Sequence, residues 1–295
     1  MSELEGCTTT GVQVRHPVSD TAALVMLWAD QYYQQNPLIR AYLRRLDLEA
    51  GRDLFDRYNR VCPWYSEVII NRKHFICNTV RELVQSARGN VTIVNLGAGF
   101  SPLALELADL LAPGCTVIEI DESGMDRKQE IYPDLIPDCC GYISSIKADI
   151  TDCHALEDAL WQEKEGHLIV VMEGLTYYIS RGGMAGVLSA LSGIPGEQSI
   201  VFEHLKPCQL IREERRFIPE KIFSHVRDYT ALDRMTTYTE GEIQALLPPD
   251  FTCSYYNMDE MEKRRTGAYT YFPTPDSGWL SCAVALRNQD FYSPE

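Results

Sequence analysis

The residues best suited to chemistry in this sequence are a Gly97-Ala98-Gly99 turn, several carboxylates spaced behind it, an arginine ahead of it and a histidine after it. The run TIVNLGAGFSPLALEL (92–107) passes from apolar residues through that turn into a helical pattern. Glycines at a strand-to-helix turn let a ligand approach the backbone without side-chain clash. Glu119 and Asp121 close the next apolar run, 20 and 22 residues after Gly99, where an acid accepts hydrogen bonds from ribose hydroxyls. Both point to one face of a regular strand, so the sequence leaves the choice between them open. Asp149-Ile150 ends a third run and offers a carboxylate, a backbone amide and an apolar side chain to an adenine ring. Glu173, in the apolar run VVMEG, suits a ligand's ammonium group. Arg72, set between apolar segments, calls for an anionic partner. His204, at the end of SIVFEHL, is placed to act as a base for a hydroxyl nucleophile, its alternative being a polar strand end. Tyr177 and Tyr178 follow Glu173 and are further catalytic candidates lining the pocket, their alternative being wall packing without chemistry.

A dinucleotide site is the rival reading, with a nucleotide-dependent oxidoreductase as the function. That fingerprint needs a small residue three positions after Gly99, and Pro102 stands there. The pyrophosphate cradle is therefore poorly supported. A ligand with a ribose, an adenine and an amino-acid end but no phosphate fits the acids better, and S-adenosylmethionine is such a ligand.

The elements that must hold these groups alternate. Strand-like runs at 91–97, 115–121, 142–149, 167–174 and 199–205 are separated by helical patterns near 102–112, 123–131, 154–164 and 181–192. Such alternation predicts βαβ units and a largely parallel sheet covered on both faces. Asp152 or Cys153 begins the third helix, and Thr239 with Glu242 forms a capping pair in YTEGEIQALLP. Residues 1–90 carry helix-like stretches at 20–34, 37–46, 50–60 and 66–87, rich in aromatics, and predict a helical lid. After residue 205 the rhythm breaks into a charged helical insertion, then two further strand-like runs at 251–258 and 279–287. Arg212, Arg215 and Arg216 in that insertion read as a solvated face or as contacts for an acidic substrate.

The 295 residues are 45% hydrophobic and 23% charged, enough for one large α/β domain or two smaller ones. A formal charge of −15 argues against nucleic acid and anionic membranes as partners and favours a small-molecule substrate. No apolar run reaches the roughly 20 residues of a membrane span. The acidic, polar start MSELEGCTTTGVQV does not read as a signal peptide. Ten cysteines without CxxC pairs or histidines at zinc-ligand spacing predict reduced, mostly buried thiols, no metal site and a cytoplasmic protein.

Five blocks together resemble the leucine carboxyl methyltransferase and polyketide O-methyltransferase group of S-adenosylmethionine-dependent enzymes: INRKHF (70–75), IVNLGAGF, IEID, KADITD (147–152) and VVMEGLTYYIS (170–180). The resemblance covers about residues 20–205 and implies a Rossmann-like class I methyltransferase sheet, mostly parallel with an antiparallel final strand. It also implies a helical cap over 1–90 and a core over 91–295 with a substrate-side insertion at about 206–248. By the same resemblance Arg72 binds the cofactor carboxylate, Gly97, Ala98 and Gly99 form the cofactor turn, Glu119 or Asp121 binds ribose, Asp149 and Ile150 bind adenine, and Glu173 binds the amino group. The expected reaction is O-methylation of a carboxyl or hydroxyl group on a natural product of secondary metabolism, with S-adenosylhomocysteine as by-product; a protein C-terminal carboxylate ranks lower. Two departures stand out. Ser101-Pro102 replaces the family's Asp-Thr, and ADQYYQQNP lacks the family's N-terminal lysine, which leaves Arg72 alone toward the carboxylate. They suggest the alternative of a non-catalytic cofactor-binding subunit.

Overall fold

A computed structural model describes residues 15–163, 166–226 and 235–287. The acidic start 1–14 with Cys7, residue 164 of the expected third helix and residues 227–234 of the insertion lie outside the described residues. Seven strands form the sheet: β1 (Val91–Leu96), β2 (Cys115–Asp121), β3 (Ile143–Lys147), β4 (His167–Met172), β5 (Glu197–Leu205), β6 (Phe251–Asn257) and β7 (Leu280–Arg287). Their order is β3-β2-β1-β4-β5-β7-β6. The pairs among β1–β5 are parallel, and β7 runs antiparallel to both β5 and β6. The order reverses between β1 and β4, which opens a crevice at their carboxyl ends.

Helices α1 (Asp20–Tyr33), α2 (Pro37–Leu43), α3 (Arg52–Val61) and α4 (Tyr65–Ser86) precede the sheet. Ser19 and Asn36 cap α1 and α2 by accepting the Ala22 and Ile39 amides, and Pro37 suits the first turn of α2. The central helix is α4, which carries Asn71, Arg72 and Lys73 on a stretch buried almost all round. Buried charges need partners, so this stretch must meet acids across the interface.

Between and after the parallel strands lie α5 (Leu103–Glu106), α6 (Met125–Leu135), α7 (Cys153–Leu160), α8 (Arg181–Gly193), α9 (Phe217–Val226), α10 (Glu240–Leu246) and α11 (Met258–Thr266). The helix expected over 102–112 is broken into α5 and a single 3₁₀ turn, because the Glu106 carbonyl accepts from Arg81 instead of continuing the ladder. Asp152 caps α7 through the Ala155 amide, and Thr239 and Glu242 form the capping box of α10. Strand parity divides the core. Ile169, Val171 and Val201 join the cluster under α1–α4, whereas Val170, Ile200 and Phe202 join the cluster under α7, α8 and α10.

The nine described cysteines are free thiols, four of them buried, four half-buried and Cys208 exposed, so burial is less general than expected. The insertion arginines are fasteners, not a solvated face: Arg215 donates to the Tyr271 and Ser277 carbonyls and lies over Trp64, and Arg216 donates to Ile211. Among the described residues no helix is long and apolar enough to cross a membrane.

Candidate active site

One half of the crevice is built from strand tips. Gly97 and Gly99 have φ of +66° and +42°, the left-handed region that favours glycine. A Cβ on Gly97 would lie 2.9 Å from the Leu175 side chain; at Gly99 the nearest atom would be Asp121 Oδ2 at 3.9 Å, so the space before Gly99 is open. Asp121 Oδ2 accepts the Gly99 N–H at 2.9 Å, and Oδ1 accepts the Ser123 N–H and hydroxyl at 2.8 and 3.1 Å. Glu119 lies one pleat deeper and is fully buried. It is held by Lys128 Nζ at 2.7 Å and the Tyr132 hydroxyl at 2.8 Å, and Lys128 also donates to the Ser101 carbonyl. Of the two acids that spacing could not separate, Asp121 is the one that reaches the crevice. Asp149 is exposed; its Oδ1 accepts from the Thr151 N–H and hydroxyl, at 2.8 and 2.7 Å, and its Oδ2 has no partner among the described residues. Ile150 and Ala98 are buried beside these acids.

The other half is built from buried charges. Arg72 donates from Nη2 to Glu173 at 2.9 Å and from Nη1 to Glu203 at 3.0 Å, and its Nε lies 2.9 Å from the second Glu203 oxygen. Lys73 Nζ sits 2.8 Å from the same Glu173 oxygen that Arg72 holds. Glu203 also accepts the Gly174 N–H at 2.8 Å. Burial opposes the charge on Glu173, but Lys73 and Arg72 beside it hold the carboxyl at about 2. Burial pushes the Glu203 carboxyl up, against the pull of Arg72. Burial likewise works against the Arg72 cation, yet the two carboxylates keep it firmly protonated.

Against this cluster lies a narrow aromatic pocket lined by Trp28, Tyr65, Arg72, Tyr177, Tyr178 and, from α9, Phe223. Trp28 and Tyr65 have ring centroids 4.4 Å apart, and Tyr177 packs on Tyr178 at 4.6 Å and on Phe223 at 5.5 Å. Burial raises both tyrosine hydroxyls, so they stay protonated. His204 does not join this wall. It follows Glu203 on β5 and so projects to the opposite face of the sheet, 1% exposed, where burial lowers it to about 4. The expectation of a His204 base is corrected by that parity.

The leucine carboxyl methyltransferase family signature matches residues 15–192, more than half of the chain. The chain belongs to that family. Its members use S-adenosylmethionine, which is the cofactor here. No curated protein matches the sequence at a significant level. Among solved structures, a Thermobifida fusca protein ascribed to the methyltransferases is similar with a TM-score of 0.57 at 15% identity, over 81% of this chain and 89% of that one. The CurJ carbon methyltransferase is similar with a TM-score of 0.53 at 14% identity, over 91% of this chain and 68% of that one. The small RNA methyltransferase HEN1 follows with a TM-score of 0.50 at 12% identity, over 76% of this chain and 26% of that one. At these identities the likeness shows a shared fold and leaves the acceptor open.

The residues present fit such a cofactor. The open backbone at Gly99, the half-buried Asp121 and the exposed Asp149, and paired cations facing carboxylates match a ribose, an adenine and a zwitterionic amino-acid end. Three residues of this cluster escaped the sequence reading. Lys73 lies next to Arg72, so the cation missing from ADQYYQQNP has a neighbour in α4 instead. Glu203 interrupts an apolar strand as Glu173 does, a signal that was equally present. Glu106, in α5, is buried and accepts from the Tyr33 hydroxyl at 3.2 Å.

Proposed function

We propose that this chain is an S-adenosylmethionine-dependent O-methyltransferase whose acceptor is a small carboxylic acid with an apolar or aromatic body. The observation that carries this reading is the aromatic pocket: it ends on Arg72, and its other titratable groups are tyrosines held protonated by burial. A hydroxyl acceptor needs a base, whereas a carboxylate is ionised at neutral pH and needs none. When bound, S-adenosylmethionine supplies a methyl group activated by a positively charged sulfur.

The chain's own part is positioning. The Gly97–Gly99 backbone, Asp121, Asp149 and Ile150 hold the nucleoside end. Arg72 and Lys73 take the cofactor carboxylate, and Glu173 takes the ammonium. A zwitterion can insert into this array because each of its charges replaces a like one. Trp28, Tyr65, Tyr177, Tyr178 and Phe223 align the acceptor and exclude water, and alignment of this kind is worth about 7–11 kcal/mol. A dry pocket also favours a reaction in which an anion and a cation cancel.

The non-catalytic alternative draws on one observation, that Arg72 is already engaged by Glu173 and Glu203. Incubation with methyl-labelled S-adenosylmethionine and a panel of aromatic and aliphatic acids, phenols and peptides with free C-termini separates the readings. Labelled products that lose methanol in mild base are expected from the small acids. Base-stable ethers from the phenols, esters from the peptides alone, or cofactor binding without any product would overturn the proposal.

A further inference from the structure

Glu106 has no part in the mechanism above, yet it is built into the same charge cluster. From α1 the Tyr33 hydroxyl donates to its carboxyl at 3.2 Å, and from α4 Arg81 donates to its backbone carbonyl. The charges of Lys73 and Arg81 on α4 and of Glu173 at the end of β4 act on it, as it acts on Tyr32 and Cys77. Arg81 is taken by Asp109, at 2.8 and 2.6 Å, so its charge is largely matched. Arg72 and Lys73 balance Glu173 and Glu203. An ionised Glu106 is then an unmatched negative charge in a buried site, where charges interact far more strongly than in water.

The two forms of the cofactor differ in charge. S-adenosylmethionine carries a sulfonium, an ammonium and a carboxylate and is a net cation, whereas S-adenosylhomocysteine lacks the sulfonium and is neutral. We propose that Glu106 is the residue by which this site distinguishes the methylated from the demethylated cofactor: its ionised form supplies the unmatched negative charge that the net cation satisfies and the neutral product does not. This rests on the cofactor reading above. Burial pushes the Glu106 carboxyl up to about 7, partly offset by Lys73, so in the free protein it exchanges its proton near neutrality. Binding of the sulfonium form draws that proton off, and binding of the thioether leaves it in place.

Calorimetric titration of the full chain with each cofactor form tests this. It is done in phosphate and in imidazole, which titrate at about 7 with different ionisation heats, between about pH 6 and 7.5, below the titration of the ligands' own amino groups near 8. The expected result is proton release with S-adenosylmethionine but not with S-adenosylhomocysteine. Their affinity ratio should rise by up to about tenfold per pH unit below the Glu106 midpoint. Glu106→Gln, which keeps an acceptor for Tyr33, should flatten the ratio and abolish the release. Tyr33→Phe, which removes a hydrogen bond favouring the ionised form, should move the midpoint to higher pH, so the proposal can fail even where the glutamine variant does not fold. Equal proton release with both ligands, a flat ratio in the wild type, or a dependence that survives Glu106→Gln would overturn it. If both ligands bind with a flat ratio, only the role of Glu106 falls. If neither binds, the cofactor reading falls with it.

Discussion

The two halves of the crevice solve their task in opposite ways. The nucleoside half is made of turn backbone and strand-tip carboxylates, Gly97–Gly99, Asp121 and Asp149, whose remaining lone pairs face water at little desolvation cost. The amino-acid half is made of Arg72, Lys73, Glu173, Glu203 and Glu106, taken from helix and strand interiors and removed from water. Charges of the second kind are tolerable only in matched sets, such as Arg72 and Lys73 form with Glu173 and Glu203, and Glu106, outside that match, is pushed toward its protonated form. The first half can therefore lose a member and keep its fold, whereas the second, under the proposed function, uses the same residues for structure and for ligand.

The sharpest break should come from Arg72→Met. Leaving Glu203 and Glu173 buried without their guanidinium should lower unfolding free energy by about 3–5 kcal/mol. Asp121→Ala, at a partly exposed tip, should cost under about 1.5 kcal/mol. Urea unfolding measures both. Equal costs would show that the two halves do not differ in the way described.

The pH dependence of stability should come next. Glu106 is raised in the folded state to about 7 from an ordinary 4.5. Its contribution is therefore fully favourable below about 4.5 and is lost as pH rises through 7, a change of about 3 kcal/mol for a shift of that size. His204, lowered to about 4 from 6.5, acts in the other direction: its contribution is present above about 6.5 and is lost as pH falls through 4. The difference between wild type and Glu106→Gln isolates the first effect. A difference that does not change between pH 4.5 and pH 7 would mean that Glu106 does not titrate there.

A smaller contrast lies within β2. Asp121→Ala should weaken cofactor binding by about 1.5–3 kcal/mol, 10- to 150-fold, through loss of charge-assisted hydrogen bonds. Glu119→Gln should lower stability, because Lys128 loses its buried partner, and leave affinity unchanged. Calorimetry that found the reverse would move the ribose contact to Glu119. The smallest expected effect is at His204. His204→Phe should leave turnover and its pH profile in place, whereas loss of a general base would reduce turnover by about 10²–10⁴.

Much of the fold was legible in advance. Apolar runs and helical spacing placed the seven strands of the sheet, and the five motif blocks pointed to the family that the chain matches. Asp152, Thr239 and Glu242 marked helix starts through chemistry that acts over three residues. The Gly97-Ala98-Gly99 turn was equally readable, since a left-handed backbone at the end of a strand leaves its mark in residue type.

The site was legible only where local chemistry was enough. Sequence by itself determined that carboxylates end β2, β3 and β4 and that an arginine sits in an apolar helix. It could not say which of two neighbours faces the crevice. Glu119 and Asp121 share a face, and only the packing of Lys128 and Tyr132 buries the first. Glu203 and His204 are adjacent, and the two-residue period of a strand sends them to opposite cores, so an error of one residue reverses the assignment. Glu106, Lys73 and Glu203 come from α5, α4 and β5, and their meeting depends on how α4 crosses the sheet. Burial, depth and parity belong to the assembled fold, and they decided which acids reach the crevice and which are buried as counter-charges.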